Sequence, residues 1–117
     1  RRRSALAMVF FLSKGCAMEC DVEKLGDFTV FMRGRFTFND THQFTKILDE
    51  MTDCGCNRTV IDLEKVDYID SGGIGMLLHA REKAEENAMD LLLRAPTGQV
   101  ERMFKMSGFK DLFQISA

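Results

Sequence analysis

The fold of this chain is decided by the stretch VIDL at residues 60–63, followed by VDYIDSGGIG at residues 66–75. The short apolar run at its start is typical of a buried strand. A small loop then ends in Asp-Ser-Gly-Gly, and the residues after it, 74–87, have helical periodicity. Ser71 is therefore predicted at or near a helix N-terminus, where unpaired backbone N–H groups and the helix dipole favour negative charge. A serine in that position can cap the helix, hold an anion or accept a phosphoryl group.

Five short segments of the chain have the composition and spacing of β-strands. The first two are joined by a turn that contains Gly26, which suits a hairpin connection. Gly34 is predicted to end the second strand. The five predicted strands span residues 20–24, 28–33, 59–63, 89–94 and 112–115.

Three segments between these strands have the apolar period of a helix. In the first, the apolar stripe consists of Phe44, Ile47, Leu48 and Met51. Asp40 with Gln43 three residues later fits a capping box at its start. Thr97 is placed to cap the third helix, and Gly108 to end it. Because strands alternate with helices, we expect an α/β fold: a small mixed, largely parallel sheet covered by helices.

The first seventeen residues are predicted to be an N-terminal extension of uncertain role, preceding one domain at residues 18–117. Three arginines and a short apolar run are the ingredients of a signal peptide. The run has only about eight residues, however, and Lys14 is unsuited to a cleavage region. An extra strand or helix, or a natural start at Met18, are the alternatives. We therefore expect a cytoplasmic protein.

Composition restricts the possible partners. The chain has 117 residues, enough for one domain with a sizeable core, and its 45% apolar and 29% charged content is ordinary for a soluble protein. The net charge is −2 and the basic residues are dispersed, so no nucleic-acid partner is expected. No apolar run approaches the ~20 residues that cross a bilayer, so direct membrane insertion is not expected.

Four cysteines form two close pairs, Cys16 with Cys20 and Cys54 with Cys56. Zinc sites usually use pairs separated by two to four residues, and the second pair is too close for that. No histidine stands near either pair. We therefore predict reduced, structural thiols, with no metal and no cofactor.

The loop DSGGIG at residues 70–75 resembles the Asp-Ser-[Ser/Thr]-Gly-[Leu/Ile]-Gly loop of STAS domains. These domains occur in bacterial anti-sigma factor antagonists and in the cytoplasmic tails of sulfate transporters. Three further segments carry the resemblance in the right order, at residues 34–36, 60–63 and 100–109. The resemblance extends from about Glu19 to Ser116, so residues 18–117 are expected to form a STAS domain.

The resemblance implies a signalling module and not an enzyme. In the antagonist branch, a partner serine kinase, which is also the anti-sigma factor, phosphorylates the serine after the aspartate, and Ser71 has that position here. Unphosphorylated antagonist binds the kinase and so frees the sigma factor, whereas phosphorylated antagonist is released from the kinase. A serine phosphatase is a further expected partner. The partner-binding residues implied are Asp70, Gly72, Gly73, Gly75, Thr37 and His79.

Two positions depart from the family pattern. Gly72 replaces the second Ser or Thr of the loop, and Thr37 stands near where antagonists often carry an aspartate. Asp70 either orients the loop by accepting backbone N–H bonds or belongs to the docking surface. The glycines most simply allow tight backbone geometry and close packing.

Several alternatives remain open from the sequence. Ser71 can be only a helix cap. The chain can be a STAS scaffold that is never phosphorylated, a subunit of a lipid- or anion-transport complex, or a sensor of a small ligand or nucleotide, although P-loop spacing is absent. Asp-Ser-Gly-Gly also resembles the nucleophile segment of trypsin-like proteases, but His42 has no triad context. Self-association into a homodimer is left open.

Overall fold

The computed structural model describes residues 8–12 and 18–117, with side chains described at Val22 and from residue 26 onward. The strands in this part of the chain are β1 (Met8–Leu12), β2 (Met18–Leu25), β3 (Asp27–Phe36), β4 (Arg58–Ile69), β5 (Asp90–Arg94) and β6 (Gln114–Ser116). The α-helices are α1 (Thr41–Asp53), α2 (Ser71–Glu86) and α3 (Gly98–Met106), and 3₁₀ turns occupy Phe38–Asp40 and Phe109–Asp111.

The strands form one sheet in the same order as in the chain, from β1 to β6. The pairs β1–β2 and β2–β3 are antiparallel, whereas β3, β4, β5 and β6 are parallel to one another. Each parallel connection contains a helix or 3₁₀ turn, because a parallel pair requires a crossover. The predicted α/β class with a mixed, largely parallel sheet is confirmed.

Strand β1 lies inside the predicted N-terminal extension. It runs antiparallel to β2, with Met8 opposite Glu23 and Leu12 opposite Glu19. Residues 8–12 therefore add an edge strand to the sheet of the domain. The boundary at residue 17 stays a prediction, as the structure does not describe residues 13–17.

Strand β4 is more than twice as long as the predicted strand at residues 59–63. Its pairing with β3 shifts register between Phe31 and Arg33 and again between Gly34 and Arg35. At each shift β4 contains one extra residue, which is the geometry of a β-bulge. The buried residues Leu63, Val66 and Ile69 therefore follow one another every three positions, and the expected alternation is lost.

The prediction that Gly34 ends β3 is wrong. The strand continues to Phe36, and Gly34 lies at the second register shift with a φ of +88°. Glycine adopts this left-handed conformation without steric cost, so the strand bends there and does not terminate.

The capping box predicted from Asp40 to Gln43 is wrong. Asp40 makes no side-chain bond to α1. Its carboxylate instead accepts hydrogen bonds from the backbone N–H of Thr37 at 2.8 Å and from the Thr37 hydroxyl at 3.3 Å. The capping box therefore runs from Thr37 to Asp40 and encloses the 3₁₀ turn Phe38–Asp40, which we call the Phe38 turn.

The other two helices begin close to where the sequence predicts. Helix α2 begins at Ser71, three residues before the predicted start. Thr97 is the N-cap residue of α3, although its side chain makes no capping bond. Gly108 follows the end of α3 with a left-handed φ of +68°, as expected for a helix stop. No helix of the described residues is long and apolar enough to span a membrane.

One hydrophobic core joins the sheet to the helices. The predicted stripe of α1 is confirmed, since all four of its residues are at most 2% exposed. At the centre of this packing the Phe36 and Phe44 rings lie 4.9 Å apart. Both rings are fully buried, so this contact packs α1 against β3, the two elements that the Phe38 turn connects.

The prediction of reduced thiols is wrong for one cysteine pair. The structure joins Cys54 and Cys56 in a disulfide across Gly55. Their Cα atoms are 5.2 Å apart, within the range that a disulfide requires. Both side chains pack partly against the core at the end of α1. Cys16 lies outside the described residues, and nothing is described of the Cys20 side chain.

Replacing Phe44 with Ala is expected to lower the free energy of unfolding by about 3–5 kcal/mol, because the change leaves a cavity beside Phe36. Urea unfolding followed by circular dichroism measures the loss. Met106→Ala is the matched control, since Met106 is 82% exposed and should change stability by less than about 0.5 kcal/mol. Equal losses in the two variants would contradict this description of the core.

Candidate functional site

The carboxylate of Asp70 lies where β4 ends and α2 begins. One oxygen, Oδ1, accepts a hydrogen bond from the backbone N–H of Gly73 at 2.8 Å and so caps α2. The other, Oδ2, accepts a hydrogen bond from the backbone N–H of Phe38 at 3.2 Å. Asp70 therefore orients the loop through backbone N–H groups, one of the two roles predicted for it, and also binds the Phe38 turn.

Ser71 is the first residue of α2, and its side chain is exposed. The alternative that Ser71 caps the helix is wrong, because Asp70 occupies the N-cap position and makes the capping bond. Within residues 8–12 and 18–117, no hydrogen bond to the Ser71 hydroxyl is found. The backbone N–H groups of Ser71 and Gly72 have no intrahelical acceptor at these positions, so the site favours a negative charge.

The three glycines of the loop have different roles. A Cβ on Gly72 would lie 2.7 Å from the Cα of Phe38, and a Cβ on Gly73 would lie 2.6 Å from the carbonyl oxygen of Phe36. A Cβ on Gly75 would meet nothing within 4 Å. Close packing is therefore confirmed as the reason for the first two glycines but does not explain the third.

Phe38 is an exposed aromatic residue beside this loop that sequence analysis missed. Its side chain is 72% exposed, although its backbone is held from two sides. Asp70 accepts from its N–H, and the hydroxyl of Thr41 donates to its carbonyl at 2.7 Å. The only signal in the sequence is an apolar residue among the turn-forming residues Thr37, Asn39 and Asp40, outside the helical stripe.

Gln99 is a second residue that sequence analysis missed. Its side-chain Oε1 accepts a hydrogen bond from the Ile69 N–H at 2.9 Å, and its Nε2 donates to the Ile69 carbonyl at 2.8 Å. On the other side, the Asp70 N–H donates to the carbonyl of Phe36 at 3.3 Å. The base of the loop is therefore held by α3 and by β3. No local pattern predicts a contact between residues 30 positions apart.

Two predicted site residues remain, Thr37 and His79, and only the first lies with Asp70 and the Phe38 turn. Thr37 is next to Phe38 and accepts a hydrogen bond from the Asn39 N–H, so it belongs to the same group of residues as Asp70. His79 lies two turns further along α2, about 12 Å from Ser71 along the axis. Its Nδ1 is 3.6 Å from a carboxylate oxygen of Glu82. Among the residues described, no three His, Cys, Asp or Glu side chains meet as a metal site would require.

Comparison with known proteins gives the same family. The family model described as "Mlab, STAS domain" matches residues 22–114. A STAS-domain containing protein of Pseudomonas aeruginosa is 32% identical over 90 residues, which cover 77% of this chain and 88% of that protein. The anti-sigma-B factor antagonist of Staphylococcus aureus is 26% identical over 74 residues, which cover 63% of this chain and 68% of the relative.

Solved structures show that the fold is shared as well. The anti-sigma factor antagonist SpoIIAA in its unphosphorylated form superposes with a TM-score of 0.68 at 17% identity, covering 95% of this chain and 89% of that one. The phosphorylated form of SpoIIAA, from Bacillus, gives a TM-score of 0.61 at 16% identity, covering 93% and 92%. The fold and the sequence match together establish that this chain belongs to the STAS domain family.

Replacing Gly72 with Ala is expected to lower the free energy of unfolding by about 1–3 kcal/mol, because the new Cβ would displace the backbone of Phe38. Gly75→Ala, in the same helix, is the matched control. It should stabilise the domain by up to about 1 kcal/mol through helix propensity, since nothing obstructs its Cβ. Urea unfolding measures both, and a neutral Gly72→Ala would contradict the close approach of Phe38.

Replacing Gln99 with Ala removes both hydrogen bonds to Ile69 and is expected to cost about 1–3 kcal/mol of stability. The amide of Ile69 should also exchange with solvent faster, because it loses its acceptor. Hydrogen exchange measured by NMR tests this directly. Arg102→Ala, exposed on the same helix, should leave both quantities unchanged; unaltered exchange at Ile69 in the Gln99 variant would argue against the contact.

Proposed function

We propose that this chain is a phosphorylation-controlled anti-sigma factor antagonist. In its unphosphorylated form it binds a serine kinase that is also the anti-sigma factor, and phosphorylation of Ser71 ends the complex. The observation that carries this proposal is the exposed Ser71 hydroxyl at the start of α2. Because Asp70 makes the capping bond, that hydroxyl is available to accept a phosphoryl group without loss of the helix cap.

The chemical step needs no catalytic group from this chain. The γ-phosphoryl group of ATP is transferred to the Ser71 oxygen, ADP leaves, and the hydroxyl proton passes to a base of the kinase. Both carboxylate oxygens of Asp70 already accept backbone hydrogen bonds, which gives Asp70 a positioning role. A serine phosphatase would restore the hydroxyl by hydrolysis. We place this regulatory binding module in the bacterial cytoplasm, where ATP and sigma factors are found.

The position of Ser71 allows a phosphate to spare the fold and still end the complex. A phosphoserine carries about −1.5 to −2 charge, and an exposed helix N-terminus stabilises an anion by ~0.3–1 kcal/mol. At a protein interface beside the Asp70 carboxylate, the same charge must be desolvated and is repelled. A hundredfold loss of affinity requires only ~2.8 kcal/mol.

Two relatives support this proposal. The name of the Staphylococcus aureus relative states that it antagonises the anti-sigma-B factor, which implies a complex with that factor. SpoIIAA, which has the same fold, exists in an unphosphorylated and a phosphorylated form. By analogy we assign the anti-sigma factor as partner and Ser71 as the acceptor.

A second candidate function is a STAS scaffold that is never phosphorylated, within a signalling assembly or a transport complex. Two observations favour it. The matching family model is described by the name Mlab and not as an antagonist. Gly72 also stands where the antagonist pattern has a second hydroxyl residue, and it contacts the Phe38 backbone instead. The experiment below separates the two candidates.

The purified domain, incubated with ATP and a serine kinase of the anti-sigma factor type from the same organism, is expected to gain one phosphate on Ser71. Intact mass and peptide mapping measure the modification. Ser71→Ala should remain unmodified, and Ser107→Ala, which removes another exposed serine, should be modified like the wild type. Isothermal titration should show that Ser71→Asp binds the kinase at least about a hundredfold more weakly, whereas Ser71→Ala keeps the affinity.

An active kinase that binds the chain stably but leaves Ser71 unmodified would support the scaffold. Unchanged kinase affinity in Ser71→Asp would exclude the charge mechanism. Phosphorylation at Ser107 or any other site would show that Ser71 is not the acceptor.

A further inference from the structure

A large apolar side chain is exposed beside the loop that carries Ser71. Three large hydrophobic residues are exposed among those described, namely Phe38, Met106 and Leu112. Phe38 differs from the other two because it adjoins the loop that carries Ser71: its backbone contacts the position of Gly72 and donates to Asp70. Aromatic residues are enriched at the centres of protein interfaces, where they fill pockets of the partner.

The turn that carries Phe38 is held by several side-chain hydrogen bonds. Thr37 and Asp40 form a capping box around it, and Asp40 itself is only 1% exposed. The Phe38 N–H donates to Asp70, and its carbonyl accepts from Thr41. Because the backbone is already ordered, binding through the ring loses little conformational entropy there, which is the condition for an efficient anchor.

The residues that contact the Phe38 backbone or adjoin Phe38 in the chain are largely uncharged. Thr37 and Asn39 adjoin it in the chain, Thr41 donates a hydrogen bond to its carbonyl, and Gly72 lies against its backbone. The Asp70 carboxylate is the exception, but both of its oxygens are occupied by backbone N–H groups. Few charged residues among these neighbours of an exposed aromatic residue match the composition of an interface core.

We propose that Phe38 is the apolar anchor of the docking surface, and that its ring enters an apolar pocket of the kinase while Ser71 lies at the edge of that pocket. The inference rests on the proposed function and adds the chemistry by which the partner recognises the site. The partner must offer a concave apolar pocket, bordered by polar groups that contact the Ser71 hydroxyl. A phosphate on Ser71 then introduces charge at the edge of an apolar contact, where its desolvation is most costly.

The test compares kinase affinities of the unphosphorylated domain by isothermal titration. Phe38→Ala is expected to bind about thirtyfold more weakly or worse, the loss typical of an interface hot spot. Met106→Ala, which removes an exposed apolar side chain elsewhere, should bind like the wild type. Phe38→Leu, which keeps an apolar group on the same turn, should recover part of the loss. Circular dichroism shows whether each variant is folded.

The possible outcomes separate this inference from the proposed function. Wild-type affinity in Phe38→Ala, together with lost binding in Ser71→Asp, would overturn the anchor and leave the phosphorylation switch intact. If the wild-type domain does not bind the kinase, both proposals fail. If Phe38→Ala converts a dimer into a monomer in size-exclusion chromatography, a second copy of this chain covers the ring, and the anchor proposal is overturned in favour of self-association.

Discussion

The site depends on one bridging carboxylate. Asp70 accepts one hydrogen bond from the start of α2 and another from the Phe38 turn, which lies 32 residues earlier in the chain. Charge-assisted bonds of this kind are stronger than neutral ones. They place an exposed hydroxyl and an exposed aromatic ring on adjoining loops. Because the cap is supplied by Asp70, the serine that follows needs no structural role of its own.

The sheet topology makes this bridge possible. Strands β3 and β4 are parallel neighbours, so their carboxyl ends lie at the same edge of the sheet, and the loops that follow them meet there. Two bulges lengthen β4 and keep Ile69 buried at that edge. Gln99 of α3 then pairs with the backbone of Ile69 much as a neighbouring strand would. Three separate segments of the chain therefore fix the conformation of the loop.

Two phenylalanines close together in the sequence have different roles, since one stabilises the core and the other is available for recognition. Phe44 is fully buried against Phe36 and contributes to the core, whereas Phe38 is 72% exposed on a turn that is held by hydrogen bonds. The turn does not need the Phe38 ring for its stability, because backbone and polar side chains hold it. An exposed apolar side chain with no stabilising role is available for binding.

Much of this protein is determined by local sequence. The alternation of strands and helices, the stripe of α1, the stop at Gly108 and the position of Ser71 at a helix start all follow from periodicity and turn chemistry, which act over a few residues. The extent of β4 and the contacts of Gly72 and Gln99 do not. They depend on register shifts and on atoms that approach from 30 or more positions away, or on chain directions set by packing. Only the tertiary structure brings Phe38 against the loop that carries Ser71, because the two loops meet only when β3 and β4 pair in parallel.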